Sequence, residues 1–236
     1  MKRKIKIGAF TLGLLLLFLI LQYDFMEDDS WNSWNLPLSG KIILIDPGHG
    51  YPDPGAGPKD AYEKDIALNV SLKMKDYLQE QGALVIMTRE TDTDLADPGL
   101  KGYSKRKVQD LKRRMEMIND SQIDFFLSVH LNAIPEPQWR GAQLFYSPQY
   151  IENKRAAKFI QEELRRNLEN TDRKAKPSNS IYLLKNAEKP GVLVEIGFLS
   201  NPEEREKLKS EEYQDQVAAS IYNGILRYFS NENKRN

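Results

Sequence analysis

Ile42-Ile43-Leu44-Ile45-Asp46-Pro47-Gly48-His49-Gly50 runs from a block of apolar residues into a turn built from proline and glycine. A short apolar run bounded by turn residues reads as a buried strand, and the histidine falls where that strand ends. Phe125-Phe126-Leu127-Ser128-Val129-His130-Leu131-Asn132-Ala133 repeats the arrangement, and these are the only two histidines in the chain. Parallel strands place their C-terminal ends on one rim of a sheet, so two imidazoles far apart in sequence can converge there. That placement points to a metal site. A third run, Gly191-Val192-Leu193-Val194-Glu195-Ile196-Gly197, carries a carboxylate inside an apolar strand. Burying a bare carboxylate is costly, so Glu195 is expected to have a partner or a chemical task.

A single histidine near a strand end is more often structural than functional. The stretch around His49 tips the balance, because Asp46-Pro47-Gly48-His49-Gly50-Tyr51-Pro52-Asp53-Pro54-Gly55-Ala56-Gly57 holds the backbone in a fixed, non-repeating path. Such a loop suits ligand presentation better than packing. Outward from it, the periodicity predicts a strand at 42–46, a helix at 63–81, a strand at 83–88, a helix at 104–118 and the strand ending at His130. It then predicts a strand at 142–146, a helix at 151–168, strands at 181–184 and 192–196, and a last helix reaching Phe229. This alternation implies an α/β fold: a single domain with a mostly parallel or mixed β-sheet of about six strands, flanked by helices, with the site on the strand C-terminal rim. The polar connections at 90–103 and 131–140 are long enough to shape a cleft.

Composition narrows the class. The 236 residues are 40% hydrophobic and 29% charged, enough for one sizeable core. The chain has no cysteine, so any zinc must be held by histidine and carboxylate. Net charge is zero, but Lys2, Arg3, Lys4 and Lys6 take four of the 34 basic residues and Asp24 one of the 34 acidic ones within the first 26 positions, leaving 30 and 33 for the rest. A mildly acidic domain without a basic stripe argues against nucleic acid as a partner.

The basic cluster precedes an apolar stretch over 5–23, with Leu14-Leu15-Leu16-Leu17-Phe18-Leu19-Ile20-Leu21 at its centre. This reads as a signal peptide or signal anchor over residues 1–26, positive end in the cytoplasm, and it makes the domain an exported one, anchored in the membrane or secreted. Asp24-Phe25-Met26-Glu27-Asp28-Asp29 offers no small-x-small cleavage signal, which favours the anchor. Residues 27–40, with Trp31, Trp34 and Pro37, read as a linker, 41–230 as the functional domain and 231–236 as a polar tail.

Four ordered motifs carry a resemblance. Asp46-Pro47-Gly48-His49-Gly50, the helix start Glu63-Lys64-Asp65, Ser128-Val129-His130-Leu131-Asn132-Ala133 and Val194-Glu195-Ile196-Gly197-Phe198-Leu199-Ser200-Asn201 closely resemble the zinc-dependent N-acetylmuramoyl-L-alanine amidases of the amidase-3 type. The resemblance covers nearly everything from Lys41 to Phe229. Within that family, the short chain, the hydrophobic N-terminus and the lack of wall-binding repeats look most like the germination-specific enzymes of spore-forming bacteria.

The resemblance implies His49, Glu63 and His130 as ligands of one zinc ion and Glu195 as the catalytic carboxylate. It also implies hydrolysis of the amide between N-acetylmuramic acid and L-alanine in peptidoglycan, removing stem peptides from glycan strands. In the germination-specific group this occurs in spore cortex, ahead of muramic-δ-lactam formation by a separate deacetylase, and an activating lipoprotein is a further partner to test for. Two imidazoles and one carboxylate suit a catalytic zinc, which keeps a fourth position open. Asp46 and Asn132 are candidates either to orient the imidazoles or to satisfy a turn, and Arg89 and Arg114 are expected to form structural salt bridges. The alternative is a catalytically silent peptidoglycan-binding or regulatory module on the same fold, disfavoured because all four polar site residues are present.

Overall fold

The computed structural model describes residues 8, 10–18, 36–120 and 122–230. The chain divides into two units, Met1–Leu36 and Pro37–Asn236. In the first, 10–18 are helical and their large apolar side chains, from Phe10 to Phe18, are exposed. Among the described residues no helix is long and apolar enough to cross a membrane. Residues 5–7, 9 and 19–23 of the apolar stretch, most of the linker 27–40 and all of the tail 231–236 lie outside the described residues.

The second unit runs β1 (Ile42–Pro47), α1 (Glu63–Glu80), β2 (Leu84–Met87), α2 (Tyr103–Ile118), β3 (Phe125–Asn132), β4 (Gln143–Tyr146), α3 (Ile151–Leu168), β5 (Lys176–Pro177), α4 (Tyr182–Asn186), β6 (Gly191–Phe198), α5 (Pro202–Lys209) and α6 (Glu211–Phe229). The six strands form one sheet in the order β2-β1-β3-β6-β4-β5. β1 pairs in parallel with β2 and β3, and β3 with β6. β4 runs antiparallel to β6, which makes the sheet mixed.

Side chains alternate across a strand, and the sequence uses that alternation to build two unlike faces. Ile43, Ile45, Phe125, Leu127, Val129, Val192, Val194 and Ile196 belong to one large core with α1, α3 and α6. Leu44, Phe126 and Leu193 point the other way, into a smaller cluster with Met115 and Ile118 of α2 and Leu183 and Leu184 of α4. The same parity sends Asp46, Ser128, His130 and Glu195 to this thinner side.

The run at 181–184 is helix, not strand. Four apolar residues carry too little periodicity to separate the two, and here adjacent Leu183 and Leu184 are both buried in the smaller cluster, as on a turn of helix. The two residues of β5 are too few to leave a sequence signal. The last helical stretch breaks at Ser210, whose hydroxyl accepts from the Tyr213 amide and starts α6. α5 begins at Pro202 behind Asn201, whose side chain accepts from the Glu204 amide.

Candidate metal centre

β1 and β3 end side by side, with Asp46 opposite Ser128 and Pro47 opposite Val129. Next along the rim, His130 pairs with Glu195 of β6. His49 follows β1 in the left-handed region, at φ 62°, a conformation that strains a residue with a Cβ and marks a backbone held by its surroundings. The holding groups are two buried arginines. Arg89 donates to the carbonyls of Pro47 at 3.1 Å and Gly48 at 2.8 Å, and Arg114 to those of Pro47 at 2.7 Å and His49 at 2.5 Å. Gly48 has no side chain because the His130 ring occupies its place: a Cβ there would lie 2.4 Å from the ring.

Glu63 opens α1 and is buried. Its Oε1 lies 3.1 Å from His49 Nε2 and 2.9 Å from His130 Nδ1, and it accepts the Leu131 amide at 3.0 Å. Its Oε2 accepts the Ala56 amide at 2.8 Å. Gly55 lets the loop close over this carboxylate, since a Cβ at that position would come within 2.6 Å of Oε2. Burial alone would raise the Glu63 pKa, but hydrogen bonds from His130 and His49 outweigh it and hold the carboxyl well below the usual range. Burial works against charge on His49 as well. There, hydrogen bonds to Asp53 and Glu63 prevail and push the imidazole up to about 9.

The structure thus brings together all three residues singled out as ligands, with one donor atom from each of His49, Glu63 and His130 within 4.8 Å of the others. Two imidazole nitrogens and one carboxylate oxygen fit a zinc ion with a position left open. Glu195 is placed differently. Its Oε2 is buried without a hydrogen-bond partner among the described residues. Burial, helped by the nearby Glu63 charge and opposed by the imidazoles, pushes its carboxyl up to about 7. A group that titrates near neutrality suits proton transfer.

Asp46 does not orient an imidazole. It accepts from Thr88 at 2.8 Å, Ser128 at 2.6 Å and Arg114 at 2.6 Å, because it pairs with Ser128, two residues short of His130. Asn132 gives its backbone carbonyl to the Leu199 amide at 2.8 Å. Besides Glu63, the carboxylate that reaches an imidazole is Asp53, four positions after His49, at 2.9 Å from Nδ1. Its only sequence signal was that short spacing within the turn. Arg114 forms the expected ion pairs, with Asp46 and with Asp110 at 2.9 Å. Arg89 instead donates to backbone carbonyls, and burial beside Arg114 lowers its pKa to about 10.

Comparison with known proteins gives the family and supports the fold. The family described as N-acetylmuramoyl-L-alanine amidase matches residues 43–227. The germination-specific N-acetylmuramoyl-L-alanine amidase of Bacillus subtilis is 57% identical over 98% of this chain and 97% of its own length. The solved CwlD amidase of Clostridioides difficile, in complex with the GerS lipoprotein, is 43% identical with a TM-score of 0.78, over 80% of this chain and 98% of that one. The catalytic domain of CwlV from Bacillus (Paenibacillus) polymyxa is 28% identical with a TM-score of 0.70, again over 80% and 98%. A family match over residues 43–227 and a relative 57% identical along nearly its whole length show that the chain belongs to the N-acetylmuramoyl-L-alanine amidases.

Proposed function

We propose that this amidase holds one zinc ion through His49 Nε2, Glu63 Oε1 and His130 Nδ1, and uses Glu195 to move protons during hydrolysis of the muramoyl–L-alanine amide. The observation that carries the reading is the convergence of three ligand atoms beside a buried carboxylate oxygen that has no hydrogen-bond partner among the described residues. The chemistry such an ion supplies when bound is Lewis acidity, toward water and toward the amide carbonyl. Glu195, poised near neutrality by burial, takes a proton from the water that attacks the lactyl carbonyl carbon. As the carbon–nitrogen bond breaks, the same carboxyl gives that proton to the departing alanine nitrogen, so it ends the cycle as it began. Arg89 and Arg114 keep the His49 backbone fixed through the cycle.

The likeness to the germination-specific amidase supports spore cortex as the wall layer and stem removal as the step that precedes muramic-δ-lactam formation. The GerS complex of its structural neighbour supports a lipoprotein partner here. Peptidoglycan lies outside the cytoplasmic membrane, and the sequence over 1–26 supports anchoring or secretion as the route there. The test is release of stem peptides from purified peptidoglycan, followed by mass spectrometry, with and without chelator. Release that stops with chelator and returns with zinc is expected. Binding to peptidoglycan with no release at any zinc level would make the chain a silent wall-binding module.

A further inference from the structure

Asp53 collects four donors on its two oxygens. Oδ2 takes His49 Nδ1 at 2.9 Å and Lys107 Nζ at 2.8 Å, while Oδ1 takes the Tyr103 hydroxyl at 2.7 Å and the Gly55 amide at 3.0 Å. Tyr103 and Lys107 are one turn apart at the start of α2, so both face the same carboxylate. Three of the four donors come from outside the imidazole, so the carboxylate is held in one orientation with a single position left for His49. Lys107 also lines, with His49, His130, Leu111 and Leu183, a cavity of about 130 Å³ against the centre.

We propose that Asp53, locked by Tyr103 and Lys107 of α2, is a positioning residue that fixes the tautomer and direction of His49, so that Nδ1 carries the proton and Nε2 faces Glu63 and the metal. An imidazole on a glycine-rich loop has two nitrogens and a free χ2, and either nitrogen can bind an ion. A fully held carboxylate at one nitrogen removes that choice, and such partners of metal-bound histidines are typically worth about 10- to 100-fold in metal affinity. The physical link is unusual in its reach: the first turn of α2, far along the chain from His49, sets the orientation of a ligand on the β1 loop. This rests on the zinc reading above.

The experiment uses the full chain in detergent. Zinc affinity is measured by competition with a chromogenic chelator, fold by circular dichroism and melting of the metal-free form, and the His49 ring by nitrogen-15 NMR of the zinc form. Wild type is expected to show His49 protonated at Nδ1. Asp53→Ala and Asp53→Asn should bind zinc about 10- to 100-fold more weakly, while the metal-free melting of Asp53→Asn stays near wild type. Tyr103→Phe with Lys107→Met should weaken zinc about 3- to 10-fold, and should add nothing in an Asp53→Ala background, as expected of groups acting through one residue. Wild-type His49 protonated at Nε2 would overturn the proposal, whether or not any variant folds. So would a folded Asp53→Asn with wild-type zinc affinity and unchanged His49 signals. If His49→Ala leaves zinc affinity unchanged, the metal reading itself fails, which is a separate result.

Discussion

The two faces of the sheet are built from the same strands and do opposite work. On the side of α1, α3 and α6, every inward residue of β1, β3 and β6 is apolar, and the face packs. On the side of α2 and α4, apolar Leu44, Phe126 and Leu193 give way toward the rim to Asp46, Ser128, His130 and Glu195. The thin side buries a network of charge, in which Arg114 meets Asp46 and Asp110. The difference teaches that strand parity divides the work of the sheet: one register of residues is given wholly to apolar packing, and the alternate register, at the strand ends, carries the site and the buried charges that support it.

The largest effect on stability is expected where the thin side holds its buried ion pair. Arg114→Ala leaves Asp46 charged and unpaired and should cost about 3–5 kcal/mol in urea unfolding of the metal-free protein. Burial raises the Asp46 pKa, but Arg114 and the hydroxyl donors bring it below its ordinary value of 3.8. Its share of stability is therefore fully present above that value and is lost as the pH falls through the lowered one. Asp46→Asn should flatten this acid-side slope, and an unchanged slope would assign it to other carboxylates.

Leu127→Ala, on the thick side, should cost about 2–5 kcal/mol because it opens a cavity in a fully buried site. Turnover well below the melting point should stay at the wild-type level. If kcat fell as well, the separation of the two faces would be broken. Glu195→Gln inverts the test. Turnover should drop on the order of 100-fold or more, the usual scale of general acid–base catalysis, with zinc content near wild type. Glu63→Gln should instead lose zinc affinity and regain part of its activity in excess metal; rescue of Glu195→Gln by zinc would exchange the two roles. The smallest effect is at a place that touches neither face's work. Asn201→Ala removes the cap of α5 and should cost about 1 kcal/mol, read as a modest shift in melting with kcat/KM unchanged.

Much of this was legible because it is local. The strand ends at His49 and His130 stood out as apolar runs closing on turn residues, and Glu195 stood out as a charge inside such a run. The misreadings fall where local pattern is short. Leu183 and Leu184 alternate too briefly to tell a helix from a strand, and Asp53 sat in a turn where an aspartate is ordinary. Asp46 was nearest to the histidine in sequence, yet its strand register turned it toward Ser128 and Arg114.

By itself the sequence determined the class of fold, the ordered motifs and the kinds of side chain at the rim, because periodicity and residue chemistry are properties of short segments. The tertiary structure alone decided that His130 stands beside Glu195, that Glu63 bridges two imidazoles, and that α2 reaches back to hold Asp53. Each of those is a contact between different elements or loops of the fold, from 14 to 67 residues apart in the chain. Such contacts form only when long loops close and a whole sheet adopts one register, so their free energy belongs to the assembled fold and leaves no mark in any one stretch of chain.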